Sequence, residues 1–194
     1  MGLFVIISSP TGGGKDAAIN NLLKIFHGSV RLVTTTTRAP RPSDKEDTAY
    51  NFISREEFEN KIKEGYFLEH NNCVGNYYGT PKEKLKNLLE KHRLVLTNLD
   101  VNGKKAMDKA GVEHLSVFLL PENIDTLKKR VSKRGGMTKE MINDRIALAQ
   151  KEVKQAEIYD FKIINYEGKL DETIKKIAEI IQDALANRQP VDKK

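Results

Sequence analysis

The residues with the clearest chemical purpose are Pro10, Thr11, Gly12, Gly13, Gly14 and Lys15, which join an apolar run, Leu3 to Ser8, to a helical pattern that begins at Lys15. Glycines ahead of a helix leave backbone N–H groups free to converge on an anion, and the helix dipole favours negative charge at the same place. Strand, glycine turn and a helix opening on lysine therefore make a phosphate cradle, with Lys15 placed to bridge the terminal phosphates. Ser9, Pro10, Thr11, Gly12, Gly13, Gly14, Lys15, Asp16 and Ala17 are its candidate contacts. The stretch departs from the pattern G-x-x-x-x-G-K-[ST] at both ends: Ser9 stands at the first glycine, and Asp16 at the hydroxyl residue that holds Mg²⁺.

Asp16 is the harder residue to place. At about 6 Å and an effective dielectric near 20, a carboxylate and a phosphate charge repel by about 3 kcal/mol. A magnesium ion between them reverses that sign, since Mg²⁺ is commonly held by a carboxylate together with phosphate oxygens and water. Asp16 is therefore the candidate metal residue, acting with the nucleotide's phosphates. The plainer alternative is a carboxylate that favours the helix dipole, worth roughly 0.3–1 kcal/mol.

The elements that must position this loop follow from the hydrophobic pattern. Leu3 to Ser8, Ser29 to Val33, Leu94 to Leu99, Leu115 to Leu120 and Phe161 to Asn165 are short apolar runs, as expected of parallel strands covered on both faces. Helical patterns alternate with them at Lys15 to Phe26, Val101 to Lys109, Glu122 to Ser132, Lys139 to Gln155 and Leu170 to Ala186. That order predicts an α/β core around a parallel five-stranded sheet with right-handed crossovers.

Two stretches break the rhythm. From Thr34 to about Glu90 the chain becomes short pieces, with helix starts at Ser54 and at Thr80, where Thr80 can cap, Pro81 can take the first position and Glu83 can close a capping box. This reads as an inserted α+β lobe. The second break, around Gly135 and Gly136, joins two helices with basic residues on both sides and reads as a basic flap.

Composition narrows the possibilities. At 39% hydrophobic and 31% charged residues, the 194-residue chain is globular rather than disordered. A formal net charge of +6 suits anionic partners, although much of the lysine solvates helix faces. No apolar run approaches the roughly 18 residues of a membrane span, and the basic and aromatic residues do not assemble into a stacking surface for nucleic acid. A single cysteine, Cys73, excludes an internal disulfide framework and a cysteine zinc cluster and points to the cytoplasm.

The segments SSPTGGGK, TTTTRAPRP, YNFISREEF, FLEH, GNYYGT, LDVNG, KKRVSKRG and AEIYDFKIIN together resemble guanylate kinases over nearly the whole chain. The resemblance implies a P-loop nucleoside monophosphate kinase fold, with a core at 1–33 and 91–194, a lid at about 126–146 within it, and a GMP-binding lobe at 34–90. It implies phosphoryl transfer from MgATP to GMP, giving ADP and GDP, with ATP, GMP and Mg²⁺ as the small-molecule partners, and it allows a monomer or small homo-oligomer.

Carried over by position, the resemblance adds Asn165 to the ATP contacts already named. It gives Thr34, Arg38, Arg41, Tyr50, Glu69, Tyr78, Thr80 and Asp100 to the acceptor. Arg38, Arg41, Tyr50 and Tyr78 would clamp its phosphate, guanidinium forks matching phosphate oxygens. Glu69 would accept from guanine N1–H and the exocyclic amine, Thr34 and Thr80 would address O6, and Asp100 would stand beside the nucleotide. Lys15, Arg38, Arg130, Arg134 and Arg145 would stabilise the migrating group.

Guanylate kinases usually carry aspartate where this chain has Asn98. The loss of an acid there and its gain at Asp16 suggest compensation at the magnesium. The same two departures resemble ribose 1,5-bisphosphate phosphokinases, for which Glu69, Thr34 and Thr80 would have no use. A non-catalytic binding module of guanylate-kinase type is the other alternative, and the retention of Lys15 and the lid arginines speaks against it.

Overall fold

The structure is a computed structural model that describes residues 1–40, 50–133 and 138–188. In chain order the first half forms β1 (Leu3–Ser8), α1 (Lys15–Ile25), β2 (Val30–Arg31), β3 (Thr34–Thr36), β4 (Tyr50–Phe52), α2 (Arg55–Lys63), β5 (Phe67–Cys73), β6 (Asn76–Pro81) and α3 (Lys82–Lys91). The second half forms β7 (Leu94–Asn98), α4 (Val101–Lys109), β8 (Leu115–Pro121), α5 (Ile124–Ser132), α6 (Lys139–Lys154), β9 (Phe161–Asn165) and α7 (Leu170–Ala186).

Five strands make the core sheet, in the order β2-β7-β1-β8-β9, and every neighbouring pair is parallel. The expected α/β fold with a five-stranded parallel sheet is therefore the fold observed. Central β1 is buried along its whole length because alternate side chains serve opposite faces. Leu3, Val5 and Ile7 pack with Ile19 and Leu22 of α1 and Ile177 and Ile181 of α7. Phe4 and Ile6 point the other way, onto Leu85 and Leu89 of α3 and Met107 of α4. Since parallel strands end together, Ser8, Asn98 and the segments after them converge at the carboxyl edge, where ligands bind in open α/β sheets.

β2 is shorter than its apolar run suggests. It keeps Val30 and Arg31 only, although Leu32 N–H still donates to Leu96 O at 2.9 Å. Just beyond, the chain enters a second sheet of order β4-β3-β6-β5, in which β3 pairs parallel with β4 and antiparallel with β6. A bulge between Phe67 and Glu69 interrupts the β5–β6 ladder. α2 is capped as expected, the Ser54 hydroxyl accepting from Glu57 N–H, and its Phe58 stacks on Phe67 at 4.3 Å and on Tyr77 at 5.1 Å.

The expected capping box on α3 does not form. Pro81 is the N-cap and makes no side-chain cap bond, while Thr80 lies within β6. A buried hydroxyl goes to the strongest acceptor in reach, and for Thr80 that is the Glu69 carboxylate. No helix among the described residues is long and apolar enough to cross a membrane.

Candidate functional site

The glycine loop leaves β1 and turns through two left-handed residues, Gly12 at φ 87° and Gly14 at φ 94°. Gly13 N–H closes the turn on Pro10 O at 2.9 Å. Gly14 is the N-cap of α1 and has no side chain to occupy the first N–H groups, which an anion can therefore take. Lys15 Nζ lies 3.5 Å from Ser9 O, folded back over the loop, and the Ser9 hydroxyl donates to Pro10 O at 3.0 Å. Thr11 is half-buried, and Asp16 and Ala17 are exposed on the first turn of α1.

Asn165 braces the loop from below. Its Nδ2 donates to Gly13 O at 2.9 Å and its Oδ1 accepts from Thr173 at 3.1 Å. Arg130 flanks the loop at the end of α5, with its Nε on Glu167 at 2.7 Å and its Nη2 on Asn165 O at 3.3 Å. That guanidinium holds the Glu167 carboxyl below its ordinary value. Arg145 is half-buried on α6 and makes no hydrogen bond or ion pair among the described residues. Arg134 and Arg41 lie outside the described residues.

The second sheet presents a cation beside two phenols. The Arg38 guanidinium stands 5.5 Å from the Tyr50 ring centre and 5.2 Å from that of Phe52, and its Nη1 donates to Ala39 O at 2.8 Å. Tyr50 and Tyr78 meet edge to face at 5.8 Å. Arg38 thus packs on Tyr50 and Tyr50 on Tyr78, a cation and two phenols of the types that a phosphate site uses.

Deeper in the same lobe is a buried carboxylate. Glu69 is 6% exposed, and its Oε1 accepts from Thr80 Oγ1 at 2.7 Å. Its Oε2 is buried with no hydrogen-bond partner among the described residues. Burial is the main cause that pushes its pKa up to about 7; the hydrogen bond from Thr80 opposes the shift, and Asp100 adds to it. Thr34 is buried on β3. Asp100 caps α4 through Gly103 N–H at 2.7 Å and receives Asn71 Nδ2 at 3.3 Å on the same Oδ1. Glu152 of α6 is drawn into the same field, its pKa raised to about 7 by burial and by Asp100 against the lowering influence of Lys15.

Sequence reasoning missed Arg31. Its Nη2 meets Asp16 Oδ1 at 2.6 Å and Asn98 Oδ1 at 3.2 Å, and its Nη1 meets Asn20 Oδ1 at 3.0 Å. A signal was available: an arginine inside a strand covered on both faces demands a nearby counter-charge. Asn71 and Glu152 also went unnoticed, and nothing in their local patterns marks them.

Among the described residues no group of three or more His, Cys, Asp or Glu side chains could hold a metal ion. Magnesium does not require one, because one carboxylate with phosphates and water suffices. Asp16 fits in that limited sense: Arg31 and Asn98 take its Oδ1, while its side chain is 53% exposed.

The guanylate kinase family model matches residues 2–184. A guanylate kinase of Rickettsia bellii (strain RML369-C) is 38% identical over 180 residues, covering 93% of each chain. One from Clostridium tetani (strain Massachusetts / E88) is 37% identical, over 93% of this chain and 85% of that protein. The crystal structure of guanylate kinase from Anaplasma phagocytophilum superposes with a TM-score of 0.76 at 29% identity, covering 95% of this chain and 86% of the other.

Proposed function

The chain belongs to the guanylate kinase family, and from that premise we propose how its own residues carry phosphoryl transfer from ATP to GMP. The glycine loop and Lys15 hold the terminal phosphates of ATP, through N–H groups that no side chain caps. Asp16, with those phosphates and water, would hold the Mg²⁺ that supplies charge neutralisation when bound.

Arg38, Arg41, Tyr50 and Tyr78 grip the GMP phosphate. One of its oxygens, already deprotonated at neutral pH, attacks the γ-phosphorus. The bond from that phosphorus to the β–γ bridging oxygen breaks, the electron pair stays on that oxygen, and ADP leaves as GDP forms. No general base is needed, so catalysis rests on alignment and charge. Arg130, Arg134 and Arg145 meet the charge on the migrating group. Residues 1–33 and 91–194 act as the core, 34–90 as the acceptor lobe and about 126–146 as the lid.

The observation that carries the choice of acceptor is Glu69. Thr80 fixes one of its oxygens, and the other is a buried acceptor with no partner among the described residues. A buried acceptor left so is costly unless a ligand donates to it. Guanine presents N1–H and an exocyclic amine on one edge, which adenine does not, and a sugar phosphate has no such edge. Thr34, Thr80 and Asp100 frame the same base.

A steady-state assay with MgATP, offering GMP, AMP and ribose 1,5-bisphosphate separately, tests the reading. Turnover with GMP alone is expected. Turnover confined to the sugar bisphosphate would overturn it.

A further inference from the structure

Asn98 ends β7 with a primary amide that is 2% exposed, and all its polar functions are engaged. Oδ1 accepts from Arg31 Nη2 at 3.2 Å. Nδ2 has two N–H bonds to give, one to Asp16 Oδ1 at 3.2 Å and one to the Tyr50 hydroxyl at 3.0 Å. Turning the amide over would set its oxygen against the Asp16 carboxylate and its –NH₂ against the Arg31 guanidinium. Acceptor would face acceptor, and donor would face donor. The two charges on either side therefore dictate which way the amide points.

That orientation decides where a proton lies. An amide N–H aimed at Tyr50 Oη makes the phenol oxygen an acceptor, which leaves the phenol's own hydrogen for a different partner. Burial, with the Asp16 charge adding to it, holds the Tyr50 pKa above its ordinary value, so the hydrogen stays in place at neutral pH. Against the Tyr50 ring stand Tyr78 and Arg38, the other described members of the clamp.

We propose that Asp16, Arg31 and Asn98 form a positioning relay for the acceptor: the ion pair orients the Asn98 amide, the amide donates to Tyr50, and Tyr50 is thereby committed to donate its hydrogen to the phosphate of GMP. The relay rests on the reading that Tyr50 contacts that phosphate. Asp16 and Arg31 act through Asn98 and are positioning residues. Asn20, which receives the other arm of the guanidinium, anchors Arg31 to α1. The head of the donor-site helix and the acceptor clamp are thus tied by hydrogen bonds that run through the end of the central sheet.

A double-mutant cycle between Asn98→Asp and Tyr50→Phe tests it. Aspartate keeps the shape but only accepts, so it takes the phenol's hydrogen away from the phosphate. The KM for GMP should rise about tenfold in Asn98→Asp, with the KM for ATP changing less than about twofold, the loss expected of one hydrogen bond to a charged group. Tyr50→Phe should cost about as much in the natural background and less than about twofold on top of Asn98→Asp.

Equal cost of Tyr50→Phe in both backgrounds would overturn the relay while leaving Tyr50 at the acceptor site. No cost in the natural background would remove Tyr50 from that site and the relay with it. A parallel rise in both KM values would mark general disruption and count against the proposal. Should Asn98→Asp fold poorly, Asp16→Asn combined with Arg31→Met removes both orienting charges; because Asp16 also belongs to the donor site, the criterion is then only whether Tyr50→Phe loses its cost in the KM for GMP on that background.

Discussion

Glu69 shows what a single residue contributes beyond its charge. In an unfolded chain its carboxyl would ionise near 4.5; in the folded, ligand-free protein burial pushes that to about 7. For an acid raised in this way, the folded state gains most below the lower value, and the gain is lost as pH climbs through the upper one. The buried carboxylate therefore opposes folding at pH 8 by on the order of 3 kcal/mol. Glu69→Gln should melt at a higher temperature than the natural protein at pH 8 and show no such advantage at pH 4. In the proposed function that cost serves binding. With guanine's N–H groups on Glu69 as proposed, the ionised form is stabilised, so GMP binding should release a proton between about pH 5 and 7, in excess of whatever Glu69→Gln releases. Calorimetry in two buffers of different ionisation heat would measure it, and equal release by both proteins would remove Glu69 from the base. Chemistry of this kind was only partly legible in the sequence. Alone, Glu69 reads as a strand carboxylate exposed to solvent, and its burial arises from a lobe whose strands are three to seven residues long.

Elements were legible wherever periodicity ran long enough. β1, β9, α4 and α7 keep the bounds that their hydrophobic patterns predict, because each is packed on the core in the way its apolar residues demand. The misses have tertiary causes. Thr80 abandons a local cap for Glu69 across the β5–β6 ladder. Arg31 sits in an apolar run because Asp16, fifteen residues earlier in the chain, supplies its counter-charge. Pairing of that range leaves no local trace. The glycine loop is the opposite case, since its backbone dictates its sequence. Gly14 stands at φ 94°, and a Cβ there would come within 2.8 Å of Asn165 Nδ2. Gly14→Ala should therefore cost on the order of 1–2 kcal/mol in folding from the left-handed backbone alone. It should also raise the KM for ATP more than tenfold, because the loop must shift off its Asn165 brace to admit the methyl. The KM for GMP should stay within about threefold, since the acceptor lobe is built from other strands. Equal loss at both substrates would mean that the loop's shape matters to the whole fold and not to the donor.

At the scale of the molecule, the donor's charge should reach beyond its own loop to α6. α6 runs for 16 residues, but Ala149 is its one buried side chain. A helix so lightly packed can reposition at little energetic cost, as an element that closes over a reaction must. Glu152 lies near the end of this helix, close enough for Lys15 and Asp100 to bear on its ionisation. Burial and Asp100 raise its pKa to about 7, and Lys15 draws it down. Phosphates bound at Lys15 would cancel that lowering influence, so the pKa should climb further when the donor site fills. The sign is opposite to that at Glu69. GMP should expel a proton, whereas a non-hydrolysable MgATP analogue should take one up between about pH 6.5 and 8, as Glu152 gains its hydrogen. Neutralising this α6 carboxylate as the triphosphate arrives would remove a like charge from a closing, water-poor site, where such a charge costs most. Calorimetry of the analogue in two buffers, with Glu152→Gln alongside, separates the outcomes. Uptake by the natural protein that vanishes in the variant places Glu152 in the electrostatics of donor binding. Identical proton counts in both would show that Glu152 does not sense the donor.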